Sequence, residues 1–133
     1  MVGIVIVAHG ELGSCFRKTL NLFMKDAKYI ASVDLTEGSG PEKFVQELEK
    51  AICKVDNGKG VLIMADLFGG TPANSTWNLI SSNQDCLGIT GVNLGMILEV
   101  LFQRDETTTL HELVDIAKDA GTNCIKVLEP IQQ

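Results

Sequence analysis

The 133-residue chain predicts an α/β fold: a doubly wound, mainly parallel sheet of five strands with helices on both faces. Three observations carry that expectation. Short β-branched runs alternate with segments whose apolar residues recur at helical spacing. The runs Val2 to Ala8 and Val61 to Ala65 are apolar almost without interruption, which suits strands covered on both faces. Apolar residues make up 45% of the chain and aromatics only 5%, so Val, Ile, Leu and Ala can fill the core of a single domain, residues 1–133.

The elements follow in order. Val2 to Ala8 is the first strand, ended by His9-Gly10. A helix then repeats Leu12, Phe16, Leu20 and Phe23 on one face. Tyr29 to Leu35 is the second strand, followed by the loop Glu37-Gly38-Ser39-Gly40-Pro41. The second helix buries Phe44, Val45, Leu48, Ile52 and Val55, with Ser39 or Gly40 as its cap and Pro41 in its first turn. Asn57-Gly58 is a turn, and Val61 to Ala65 is the third strand. Asp66-Leu67-Phe68-Gly69-Gly70-Thr71-Pro72 is a loop running into a third helix, on which Trp77 is expected in the core. Cys86 to Val92 is the fourth strand, and Leu94 to Phe102 a short apolar helix. Thr109 and Glu112 form a capping box for the last helix, which buries Leu110, Leu113, Val114 and Ala117 and stops at Gly121. Cys124 to Leu128 is a final strand at the sheet edge, parallel or antiparallel. The rhythm gives the flavodoxin-like order 2-1-3-4-5, in which strands 1 and 3 are neighbours and a crevice opens between their C-terminal ends.

Composition excludes several function classes. A formal net charge of -6 disfavours nucleic acid, whose phosphates need clustered Lys and Arg. The apolar run Ile4 to Ala8 is too short for a membrane span, and the start lacks the features of a signal peptide, so a cytoplasmic protein is expected. Cys15, Cys53, Cys86 and Cys124 form no CxxC pair and no zinc pattern, and read as small buried hydrophobes, with Cys15 set apart by its closeness in sequence to His9.

Chemistry concentrates at the predicted crevice. His9 ends strand 1 and Asp66 ends strand 3, side by side. A carboxylate beside an imidazole accepts a hydrogen bond from Nδ1–H, fixes the tautomer and leaves Nε2 as a nucleophile. Gly69-Gly70 can turn backbone N–H groups inward, and the Thr71 hydroxyl and the following helix N-terminus add donors, a suitable cradle for a phosphoryl group. No metal site appears. Neither Gly-rich segment matches a nucleotide fingerprint, so no cofactor is expected. Asn74 and Asn93 lie near the crevice by order, to bind phosphate or to close turns. Leu67 and Phe68 either form an apolar rim for partners or pack the loop. His111 reads as a solvated residue at the start of the last helix.

The stretches VGIVIVAHGELG, GVLIMADLFGGTPAN and ITGVNLGM together resemble the IIA component of mannose-type (mannose–fructose–sorbose) sugar phosphotransferase systems, over nearly the whole chain. The resemblance implies a phosphotransferase component that is phosphorylated on His9, oriented by Asp66, with Thr71 as the phosphate-binding hydroxyl. The donor is then the phosphocarrier HPr, the acceptor a histidine on a IIB domain, and membrane IIC and IID components couple the transfer to sugar uptake. In-line transfer between imidazoles needs neither metal nor nucleotide. Acidic residues near the crevice suit a basic donor face. Family members are commonly homodimers, sometimes exchanging the last strand. One departure stands out: Gly95 replaces a family proline, which predicts a more mobile helix start and a higher melting temperature for Gly95→Pro.

Rival readings remain. One is the phosphocarrier domain of a dihydroxyacetone kinase system, which also uses a strand-end histidine. Another is a regulatory domain whose phosphorylation signals sugar status. A third is a receiver-like module phosphorylated on Asp66. For that module, Glu11 is the single acid after strand 1, and Glu129-Pro130 stands where a lysine is expected. A flavin-binding module shares only the strand order.

Overall fold

A computed structural model describes residues 1–82 and 85–132. Its sheet has four parallel strands in the order β2-β1-β3-β4, with β1 at Gly3–His9, β2 at Ile30–Leu35, β3 at Val61–Ala65 and β4 at Cys86–Ile89. The helices are α1 at Leu12–Thr19, extended by a 3-10 turn at Leu20–Leu22, α2 at Pro41–Val55, α3 at Thr71–Ser82, α4 at Leu94–Gln103 and α5 at Leu110–Asn123.

The central strands β1 and β3 are apolar and buried, up to His9, because both faces of the sheet are covered there. Ile4, Ile6, Leu62 and Met64 pack with Leu20 and with Ile97, Val100, Leu113 and Ala117 of α4 and α5. Val5, Val7, Val61 and Ile63 pack against Phe44, Leu48 and Ile52 of α2 and Ala73 of α3. Successive strand residues point to opposite faces, so a period of two on each face sums to an unbroken apolar run. In β1, His9 is the first exposed residue. The register sets His9 opposite Leu35, and Val7 opposite Ala65, so the strands end together at one edge.

The local signals for the helices hold. Pro41 opens α2 behind Gly40, which supplies no side-chain bond. Thr109 Oγ1 accepts the Glu112 N–H while the Glu112 carboxylate takes the Thr109 N–H, a complete capping box worth about 1 kcal/mol.

Other expectations are corrected. The fifth strand is absent among the described residues. Residues 125–132 carry no regular structure, and Ile125, Val127, Leu128 and Ile131 stand in solvent. Alternating apolar residues need a neighbouring edge to become a strand, and this segment pairs with none among the described residues. The fourth strand stops at Ile89, and Val92 returns only through a bond from its N–H to Ala65 O. Tyr29 lies outside β2, at a left-handed φ of 54°. Val45, Leu110 and Val114 are half-buried.

Gly121 does not stop the last helix. It is buried within α5, where a Cβ would sit 2.6 Å from Met96 Cε, so glycine here permits close helix packing. Gly95 has a similar reason: a Cβ there would lie 2.9 Å from Cys124 Cβ. Proline at 95 would drive into Cys124, which removes the basis for expecting stabilisation. Only Cys86 among the cysteines is buried, and burial, with Asp56 and Asp85 adding to it, pushes its thiol up to about 11. Trp77 is 60% exposed, on the outer face of α3 and not in the core.

Candidate active site

The site forms where β1 and β3 end. Gly10 adopts φ +60°, and its N–H donates to Leu35 O at 2.8 Å, turning the chain away from the sheet immediately after His9. On the neighbouring strand, Asp66 N–H donates to Val7 O at 3.2 Å, so Asp66 is held level with the end of β1.

The two side chains meet. His9 Nδ1 lies 2.8 Å from Asp66 Oδ2, and the His9 backbone N–H donates to the same oxygen at 2.9 Å. The other carboxylate oxygen accepts the Leu67 N–H at 2.8 Å. An ionised carboxylate can only accept, so Nδ1 is the donor in this contact and Nε2 is left to other partners. The exposures differ in the useful sense, with 44% for the His9 side chain and 9% for that of Asp66. Burial pushes the Asp66 carboxyl up. The backbone and ring donors of His9, its charge, and the Leu67 N–H outweigh that push and leave the group below the ordinary carboxylate value.

Gly70 acts through what it lacks. A Cβ on it would fall 2.7 Å from His9 Cε1 and 3.2 Å from His9 Nε2, so the imidazole rests against bare backbone. Gly69 takes φ +85°, which brings the loop round into α3. Asn74 closes the turn, donating from its N–H to Gly70 O at 2.9 Å and from Nδ2 to Gly69 O at 3.2 Å. Thr71 is the first residue of α3, half-buried, where helix N–H groups lack intrahelical acceptors and favour an anion.

His9 therefore lies against both Asp66 and Gly70, and Gly69 and Thr71 flank Gly70 in the same loop. Asn93 is not part of this cluster. It caps α4, accepting the Met96 N–H at 2.8 Å, and its Nδ2 donates to Gly121 O at 3.0 Å. His111 is exposed at the start of α5 and shares a cavity with Gly58 and Gly60, at the opposite edge of the sheet. Leu67 and Phe68 are exposed, and the Phe68 ring leans on Trp77 with centroids 6.0 Å apart. These two rings rim an apolar cavity of about 440 Å³ between α3 and β4, floored by Ala65, Ile80 and Leu87. The outward-facing Trp77 was not foreseeable from periodicity, because α3 is apolar on more than one side. Among the described residues no cluster of His, Cys, Asp and Glu could hold a metal ion.

Comparison with known proteins supplies a family. The chain matches the EIIA-man family, described as the PTS system fructose IIA component, over residues 3–118. It is 29% identical over 128 residues to the mannose-specific PTS EIIAB component of Escherichia coli K12, covering 96% of this chain and 40% of that protein. It is 24% identical to the fructose-specific PTS EIIA component of Bacillus subtilis, covering 99% of this chain and 92% of that one. Among solved structures, a phosphotransferase system component EIIA from Streptococcus agalactiae superposes with a TM-score of 0.87 at 26% identity, covering 96% of this chain and 97% of that one.

Proposed function

The chain belongs to the EIIA-man family of PTS IIA components, and on that premise we propose that it is a phosphoryl carrier whose acceptor atom is His9 Nε2. The observation that supports this reading is the 2.8 Å contact between His9 Nδ1 and Asp66 Oδ2, which pins one ring nitrogen and leaves the other without a hydrogen-bond partner among the described residues.

The reaction then runs as follows. Nε2 attacks the phosphorus of phospho-HPr in line. The N–P bond to the donor histidine breaks as the bond to Nε2 forms, and the Nδ1 proton stays in place. The ring becomes cationic when Nε2 is substituted, and the Asp66 carboxylate stabilises that charge. Gly69, Gly70, Thr71 and the first turn of α3 receive the phosphoryl oxygens. Transfer onward to a histidine of a IIB domain reverses these steps, and membrane IIC and IID components use the phosphoryl group during sugar uptake. The exposed Phe68 and Leu67 supply an apolar rim for both partners. With Asp66 buried and both its oxygens engaged, the receiver-like reading finds no free acceptor there. Residues 1–133 act as one IIA domain at the cytoplasmic side; among the described residues no helix is long and apolar enough to cross a membrane.

The assembly in this reading is a homodimer. β4 is a sheet edge with no described neighbour beyond it, and the apolar cavity opens beside it. The exposed residues Ile125, Val127 and Leu128 of a second copy fit that edge as an added strand.

Phosphoenolpyruvate, enzyme I and HPr, mixed with the chain and followed by intact mass, test the carrier reading. One acid-labile phosphoryl group is expected on the wild type and on His111→Ala, and none on His9→Ala. A folded wild type that takes no phosphoryl group would refute the reading for these partners. An acid-stable, base-labile phosphate would move it to Asp66. Light scattering of the full chain tests the dimer, and a chain ending at 123 should be monomeric.

A further inference from the structure

Helix α1 begins three residues after His9, at Leu12, yet its start is held by a group from another strand. Glu11, the residue before it, makes no capping bond with its side chain. Asp34 of β2 supplies the missing acceptor. Its Oδ1 takes the Ser14 N–H at 2.9 Å, and its Oδ2 takes the Ser14 hydroxyl in a short hydrogen bond. Gly13 makes the approach feasible, since a Cβ there would lie 2.8 Å from Asp34 Oδ1. Asp34 sits opposite Ala8 in the sheet register, one step before His9, and Gly10 N–H is tied to the neighbouring Leu35 O.

From this geometry we propose that Asp34 and Ser14 are positioning residues for His9. The inference rests on reading His9 as the phosphoryl acceptor. Only Gly10 and Glu11 separate the end of β1 from α1, so a tilt of the helix passes directly into the His9 backbone. That backbone N–H must point at Asp66 Oδ2 for the ring to share the same oxygen. The Asp34 clamp therefore fixes the tautomer at one remove. It also spends the Asp34 charge on the α1 N-terminus, so that a carboxylate one residue from the acceptor is satisfied inside the fold and does not turn toward an incoming dianion. The clamp works through shape: Asn at 34 still accepts the Ser14 N–H and donates to the Ser14 hydroxyl, whereas Ala does neither.

Nuclear magnetic resonance of the His9 ring nitrogens decides the matter without any phosphate, in a His111→Ala background that leaves one imidazole to observe. The wild type should show separate Nδ1–H and unprotonated Nε2 signals. Asp34→Ala should draw them toward averaged positions and slow phosphoryl uptake from phospho-HPr about tenfold, as misplacement of a reacting group by a fraction of an ångström does. Asp34→Asn should restore both. Ser14→Ala, which keeps one of the two bonds and is expected to fold, should fall between them. Ring signals and uptake rate unchanged in Asp34→Ala and Ser14→Ala would overturn the proposal. So would Asp34→Asn proving as damaging as Asp34→Ala, since charge and not shape would then matter. A wild type that takes no phosphoryl group on His9 would strike the carrier reading alone, because the ring signals still report whether Asp34 sets the tautomer.

Discussion

The two edges of the sheet are built from the same strands and used in opposite ways. At the C-terminal edge, His9 stands partly exposed, and no described residue bonds its Nε2. At the N-terminal edge, Arg104 is buried beneath the starts of β1 and β2. Its Nη1 donates to Val2 O at 2.8 Å and to Tyr29 O at 3.2 Å, and its Nη2 to Lys28 O at 2.5 Å. One guanidinium thus satisfies three carbonyls and holds Tyr29 in its left-handed conformation, leaving only Nε without a partner among the described residues. Burial lowers the Arg104 pKa, with Glu106 opposing, yet a guanidinium remains charged at any working pH. The difference is instructive. Polar groups at the closed edge are consumed in finishing the backbone, and polar groups at the open edge orient one another around an atom left available.

Substitutions can break this contrast, beginning with the closed edge. Arg104→Ala should cost about 3 kcal/mol of stability, because it removes the guanidinium donors from the Val2 and Lys28 carbonyls, leaves Tyr29 O with the Ile4 N–H alone and empties a buried volume. Thermal or urea unfolding measures it; a loss well under 1 kcal/mol would mean that water replaces the fork. Arg104→Ala should leave the His9 ring signals intact wherever the protein is folded.

Asp66→Asn should do the reverse, slowing phosphoryl uptake about a hundredfold through loss of the carboxylate that fixes the ring and balances its charge. Its stability effect has a defined pH window. The folded-state pKa of Asp66 lies below the ordinary value of about 3.9, so the ionised group stabilises the fold above that value, and the benefit fades as pH falls through the lowered one. The melting-temperature gap between wild type and Asp66→Asn should therefore close on acidification below about pH 4. A constant gap would show that the carboxylate's charge is unimportant to stability.

A smaller effect is expected from Gly70→Ala. Its Cβ must displace the His9 ring, and uptake should slow about tenfold with little change in melting temperature. An unchanged rate would mean that the loop can give way. Smaller again, Gly95→Pro should lower stability by about 1 kcal/mol by overpacking against Cys124. Adding Cys124→Gly should recover the loss, and a higher melting temperature for the single variant would contradict the packing account.

The open edge was largely legible from residue order alone. His9 and Asp66 each follow an apolar run that can only be a strand, and doubly wound sheets bring the C-terminal ends of their first and third strands together. Turn chemistry was legible too, since Gly10 and Gly69 occupy left-handed positions and Thr109 and Glu112 complete a local box. The closed edge was not legible. Arg104 reaches Val2 across 102 positions, and nothing in its neighbourhood marks it as buried. The Asp34–Ser14 clamp spans 20 positions and escaped notice for the same reason.

Alternating apolar character misled at Val127 and Leu128, because a strand is made by its neighbour and this segment pairs with no sheet edge among the described residues. Gly121 misled in another way: glycine signals both a helix end and a close helix crossing, and only the approach of Met96 distinguishes them.

The sequence by itself thus determined four of the five expected strands, their order 2-1-3-4, the helices between them and the pairing of His9 with Asp66, because periodicity and turn chemistry act over a few residues. Only the tertiary structure decided why Gly70 must lack a side chain and which distant residues hold the edges in place. Those outcomes depend on approaches of a few ångströms between segments far apart in the chain, which no local pattern encodes.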